Sequence, residues 1–106
     1  MNCLTLIGRV ALPPVYHCTK AGHDLTRFTL NASPGTEGED THECISWGPA
    51  ALDLHENLRV GDRLMLRGRL RYKWRQLPGG KRFRMAEIAV RSYTYLGHGG
   101  MVEYRR

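Results

Sequence analysis

Very little in this chain could hold a metal or staple a fold. Its three cysteines, Cys3, Cys18 and Cys44, are odd in number and include no CxxC pair. Neither a disulfide framework nor a zinc knuckle is indicated, and reduced thiols are the simple reading. His17, Cys18 and His23 lie close together, as do His42 and Cys44, but these spacings match no zinc pattern, so no metal and no cofactor is expected. No apolar run approaches the ~18 residues of a membrane span, and the N-terminus lacks a charged-then-apolar signal pattern. The expectation is a soluble, cytoplasmic protein with no membrane partner. Poised chemistry is missing too: Glu37, Glu39 and Asp40 fall in a Gly/Pro loop, and no nucleophile stands beside a base. The chain is therefore not read as an enzyme.

Acid is scarce where base is abundant. Residues 1–58 hold three Lys or Arg against seven Asp or Glu, whereas residues 59–106 hold thirteen against three. Between Arg59 and Arg84 ten cations face a single acid, Asp62. The net charge of +6 favours an anionic partner, and its segregation says where that partner would sit. Leu64, Leu66, Leu70, Tyr72 and Trp74 are even-numbered, while Arg63, Arg67, Arg69, Arg71, Lys73 and Arg75 are odd. Successive side chains of a strand point to opposite faces, so one face is apolar and the other cationic. With no acid to pair them, those cations would repel one another unless a polyanion covers them. Aromatics near the far end suit a polyanion that carries flat rings, namely single-stranded nucleic acid.

The remaining pattern supplies the architecture. Asn2–Val10 alternates as a first strand, which Pro13-Pro14 ends or edges. Leu25–Ala32 and Thr41–Trp47 read as the second and third strands, separated by the acidic loop Ser33–Asp40. Gly48-Pro49 opens a helix with Ala51, Leu54, His55 and Leu58 on one face. Val60-Gly61-Asp62 turns into a long fourth strand, Arg63–Arg75, and Leu77-Pro78-Gly79-Gly80 closes a hairpin into a fifth, Lys81–Leu96. At 106 residues this is one domain, all-β, spanning residues 1–97, with a short tail over residues 98–106. Five strands with a helix between the third and fourth is the order of the OB-fold, a partly open Greek-key barrel that commonly holds oligonucleotides. The hairpin of the fourth and fifth strands is longer than such a barrel needs and should project from it.

Several segments together are familiar. Asn2–Val10, Arg27–Ala32, Ile45–Gly48, Asn57–Arg63, Leu66–Trp74 and Ala86–Val90 occur in order and resemble bacterial single-stranded DNA-binding proteins. The resemblance implies an OB-fold that assembles as a dimer or tetramer and binds single strands without sequence preference. It also implies roles in replication, recombination or repair. Of the family's stacking positions, Trp47 and Trp74 match, whereas two further aromatic positions fall near Thr36 and Thr41. The family continues into a linker and an acidic tip that recruits partner enzymes; here Tyr104-Arg105-Arg106 is basic. A tail-less OB protein of this length also resembles, more distantly, primosomal replication protein N, a replication-restart accessory that binds single-stranded DNA and a helicase.

The expected site follows. Trp47, Trp74, Tyr72 and Phe83 are the candidates for base stacking, and Arg67, Arg69, Arg71, Lys73, Arg75, Lys81, Arg82 and Arg84 for phosphate contacts. Leu4, Leu6, Phe28, Leu30, Leu54, Leu58, Leu64, Leu66, Ile88 and Val90 are core candidates, and Tyr93 and Tyr95 barrel or interface residues. Partners are single-stranded DNA, further copies of this chain and, through the resemblance, replication or primosome proteins. RNA binding and a purely protein-docking OB module are the alternatives.

Overall fold

A computed structural model describes residues 2–32 and 40–97. Most of the acidic loop (33–39), Thr36 with it, and the tail over 98–106 lie outside the described residues. Five strands and one helix follow in order: β1 (Leu4–Cys18), β2 (Asp24–Asn31), β3 (Thr41–Trp47), α1 (Pro49–Asn57), β4 (Arg63–Gln76) and β5 (Arg82–Gly97). The sheet closes as β1-β2-β3-β5-β4, with β3 parallel to β5 and every other pairing antiparallel. This is the OB-fold that the element order implied.

β1 is longer than its alternation indicated. It runs past Pro13 and Pro14 to Cys18, and its register with β2 shifts between Val10 and Leu12 and again between Leu12 and Val15. A proline cannot donate to a ladder, so the strand accommodates the pair at bulges rather than ending there. The first half of β1 pairs with β4 and the second half with β2, which lets one strand join both sides of the barrel.

Val10, Phe28, Leu30, Cys44, Leu54, Leu58, Leu64, Leu66 and Ile88 form the core, with Leu4, Leu6, Leu70, Val90 and Tyr93 packed against it. All ten core candidates are in these two groups. α1 plugs the barrel through Ala51 and Leu54, and the buried Thr26 hydroxyl donates to the Ala51 carbonyl at 2.7 Å. Leu58 is buried but not helical; it is the extended residue that ends α1.

Asp53 ties α1 to β5 by accepting hydrogen bonds from the Tyr93 and Tyr95 hydroxyls. Burial, and then the Asp53 bond and charge, push the Tyr93 hydroxyl from its usual 10.0 up to about 12. The folded state thus holds this proton more tightly than the unfolded chain. Its contribution to stability is complete below the unfolded value and is lost as pH rises toward the folded one. Denaturant titrations are expected to show stability falling between about pH 10 and 12, with Tyr93→Phe removing part of that slope.

Candidate nucleic-acid interface

The distal hairpin leaves the barrel where its neighbours stop. β1 pairs with β4 as far as Gly68, and β3 pairs with β5 at Ile88 and Ala89. Beyond those rungs, among the described residues, Arg71–Gln76 and Arg82–Glu87 pair only with each other, a ribbon of about 20 Å at ~3.3 Å per residue. The Asn2 side chain extends the barrel wall one step, exchanging hydrogen bonds with the Leu70 backbone. At the tip, Pro78 followed by Gly79 with φ 94° fits a type II turn, which needs a positive φ after the proline.

Register decides which side chains share a face. On β4 the core-facing row Leu64, Leu66, Gly68 and Leu70 continues as Tyr72 and Trp74 past the end of the core. Trp74 pairs with Arg84 and Gln76 with Arg82, so both arginines stand on this same face. The Arg82 guanidinium lies 4.6 Å from the Trp74 ring centroid and that of Arg84 lies 4.4 Å from the Tyr72 centroid. Such contacts are worth about 0.5–1 kcal/mol at exposed sites. Tyr72 and Trp74 nevertheless remain 54% and 57% exposed.

The opposite face carries the odd row of β4: Arg67, Arg69, Arg71, Lys73 and Arg75. Phe83 is here too, paired with Arg75 and 38% exposed. The row extends across the sheet because Arg69 pairs with Ala89, Ala89 with Ile45, and Ile45 with Arg27. Trp47, two residues beyond Ile45 on β3, ends this face at 45% exposure.

The four aromatics named from sequence are therefore not one set. Trp47 and Phe83 flank the cationic face at its two ends, whereas Tyr72 and Trp74 share the other face with Arg82 and Arg84. Lys81 sits in the tip turn, where its carbonyl accepts from Leu77 N–H at 2.7 Å. The expectation that the odd cations have no acid to pair is corrected. Glu87, opposite Arg71 on β5, lies 3.1 Å from Arg71 and 3.4 Å from Lys73. It also binds Arg27 at 3.1 Å, a cation the sequence reading left out of the site. Arg67, Arg69 and Arg75 show no such pairing among the described residues.

His42 pairs with Asp40 at 3.1 Å and His55 packs on the Tyr16 ring at a centroid distance of 4.9 Å, contacts that account for both. Among the described residues no group of three or more His, Cys, Asp or Glu could hold a metal ion, and no helix is long and apolar enough to cross a membrane. Burial, with the Glu43 charge second, pushes the Cys44 thiol up to about 12, which keeps it an inert core group.

A closed five-stranded barrel with a cationic outer face and a projecting aromatic ribbon invites comparison with known proteins. The model of the Single-strand binding protein family matches residues 1–96. The chain belongs to this family. Among curated proteins it is similar to Single-stranded DNA-binding protein 3 of Listeria innocua serovar 6a, with 28% identity over 102 residues. That similarity covers 91% of this chain and 64% of the relative, so the chain corresponds to less than two thirds of the relative's length. The family match covers all five strands and both faces of the ribbon up to Leu96, including every candidate contact residue.

Proposed function

We propose that this protein binds single-stranded DNA without sequence preference, protecting it during replication, recombination or repair. The observation that carries the reading is the ribbon itself. Arginines and a lysine fill every alternate position from Arg67 to Arg75 on one face, and exposed aromatic rings stand on both faces and at the tip end. Phosphates would lie along the cations, while unpaired bases, which have two open π-faces, would stack on the rings. No base edge needs to be read, which is why sequence preference is not expected. The activity is binding, with no chemical step.

Family membership supports assembly of several copies, as a dimer or tetramer, and exposed Ile7, Leu12 and Val15 along β1 give apolar surface to bury in such an assembly. Light scattering of the purified chain checks this, and a monomer at working concentration would remove it.

The function is tested by competing a labelled oligothymidine against unlabelled oligothymidine, oligouridine and duplex DNA. Unlabelled oligothymidine should compete best. Preferential displacement by oligouridine would move the case to RNA, whose 2′-hydroxyl is the feature a protein uses to tell the two apart. Trp74→Ala is expected to weaken oligothymidine binding by ~1–3 kcal/mol with little change in melting temperature, because the ring lies outside the core. Unchanged affinity would remove Trp74 from the stacking set.

A further inference from the structure

Glu87 is the most buried acid on the cationic face, with 4% of its side chain exposed. Its Oε1 accepts a hydrogen bond from Arg27 Nη1 at 3.1 Å and lies 3.4 Å from Lys73 Nζ, while Oε2 lies 3.1 Å from Arg71 Nε. The three cations come from two strands that are not neighbours: Arg27 from β2, Arg71 and Lys73 from β4, with β3 and β5 between them. One carboxylate thus gathers three positive charges, and the cluster keeps a net charge of two.

One cation would suffice to satisfy a buried carboxylate, and extra buried charge adds little to stability. What the excess creates is donor capacity. Each cation meets Glu87 through one nitrogen, whereas a guanidinium carries five N–H donors and an ammonium three. All three side chains are also partly exposed, at 41%, 38% and 27% for Arg27, Arg71 and Lys73. The donors not spent on Glu87 are held in one cluster on the face that carries Phe83 and Trp47.

We propose that Arg27, Arg71 and Lys73 form a preassembled seat for a backbone phosphodiester, with Glu87 as the positioning residue beneath it. Glu87 draws the cations together and withholds one of their three charges from the ligand. This rests on the single-strand reading above and adds to it a named subsite, a cation from outside the hairpin and a residue that limits affinity. Glu43 on the adjoining β3 is a built-in control. It is exposed, accepts a hydrogen bond from the Thr29 hydroxyl at 3.0 Å, and among the described residues forms no ion pair with the seat's cations.

The test is the salt dependence of oligothymidine binding. Each phosphate neutralised on a single strand contributes about 0.7 to the slope of log affinity against log salt. Glu87→Gln frees the third charge and should steepen the slope by about 0.7, which costs ~2.5-fold more affinity between about 50 and 200 mM salt. Arg27→Gln removes a charge from the seat and should flatten the slope by about 0.7. Glu43→Gln removes the same formal charge as Glu87→Gln without freeing a paired cation, and should leave the slope as in wild type. An unchanged slope in Glu87→Gln, or an equal steepening in Glu43→Gln, overturns the seat. If Glu87→Gln does not fold, Arg27→Gln decides alone, since that cation is partly exposed, and an unmoved slope there overturns the proposal. Wild-type protein that fails to bind at low salt overturns the single-strand reading itself; wild-type binding with unmoved variants overturns only the seat.

Discussion

Replacing Arg67, Arg69 and Arg75 together by glutamine is expected to weaken oligothymidine binding about 100-fold at about 0.1 M salt and to flatten the salt slope by about 2. These three belong to the odd row of β4 and, unlike Arg71 and Lys73, have no acid partner among the described residues. Each should therefore give its full charge to a phosphate. At roughly 0.7 per contact, the affinity term is about fivefold per residue at that salt, and three residues compound it to about two decades. The fold should be untouched, because all three side chains are exposed and uncharged glutamine relieves repulsion along the strand. Fluorescence titrations over a salt series, with melting temperature as the control for folding, check both halves. A loss of affinity with no change in slope would mean that the arginines act through shape and not through charge.

The second large effect concerns stability. Gly68→Ala is expected to cost about 3 kcal/mol, near the top of the range for an added methyl group in a packed site. A Cβ built at Gly68 would fall 2.3 Å from the Ala89 carbonyl oxygen, far inside contact distance. The atom it meets is backbone, so no rotamer change can make room. A bulge adjoins the close approach: Arg67 pairs with Ser92 but Gly68 pairs with Val90, which leaves Arg91 as an extra residue on β5. That bulge lies where the hairpin passes from barrel wall to projecting ribbon, and it adds twist to the strand at that point. At ~4–8 °C per kcal/mol for a domain near this size, the melting temperature should fall by more than about 10 °C. A drop of only a degree or two would mean that β4 and β5 separate easily there, and that Gly68 does not set the approach.

The long hairpin and the barrel were legible because their signals are local. Alternation from Arg63 to Arg75, the Pro-Gly-Gly turn and the Gly-Pro helix start each occupy a few adjacent residues, and each matches the structure closely. The strand through Pro13 and Pro14 was not legible, since proline marks a break by default and only the pairing with β2 shows that a bulge absorbs it. Parity along β4 separated apolar from cationic positions correctly. It could not relate Trp47 to Trp74, because that requires the register of β3 on β5 as well as that of β5 on β4. For the same reason the sequence hid the pairing of Arg27 with Glu87, sixty residues apart, and left the cationic row looking unpaired. The missing role of Gly68 has a similar cause, as a glycine in a strand reads as a weak point until the backbone facing it is known.

Two surfaces on one ribbon also change what a bound strand must do. To use all four rings it has to pass from the cationic face to the Tyr72–Trp74 face, around an edge or the tip. The two tryptophans then report on different segments of the path. The most direct measurement is intrinsic tryptophan fluorescence during titration with oligothymidine at low and moderate salt, in wild type and in Trp47→Phe and Trp74→Phe. The chain has two tryptophans, one for each face, so each variant isolates one signal. Saturable, salt-sensitive quenching is expected in wild type, and residual quenching in both variants. Absence of any binding at low salt would contradict single-strand binding and leave the barrel as a module for docking protein.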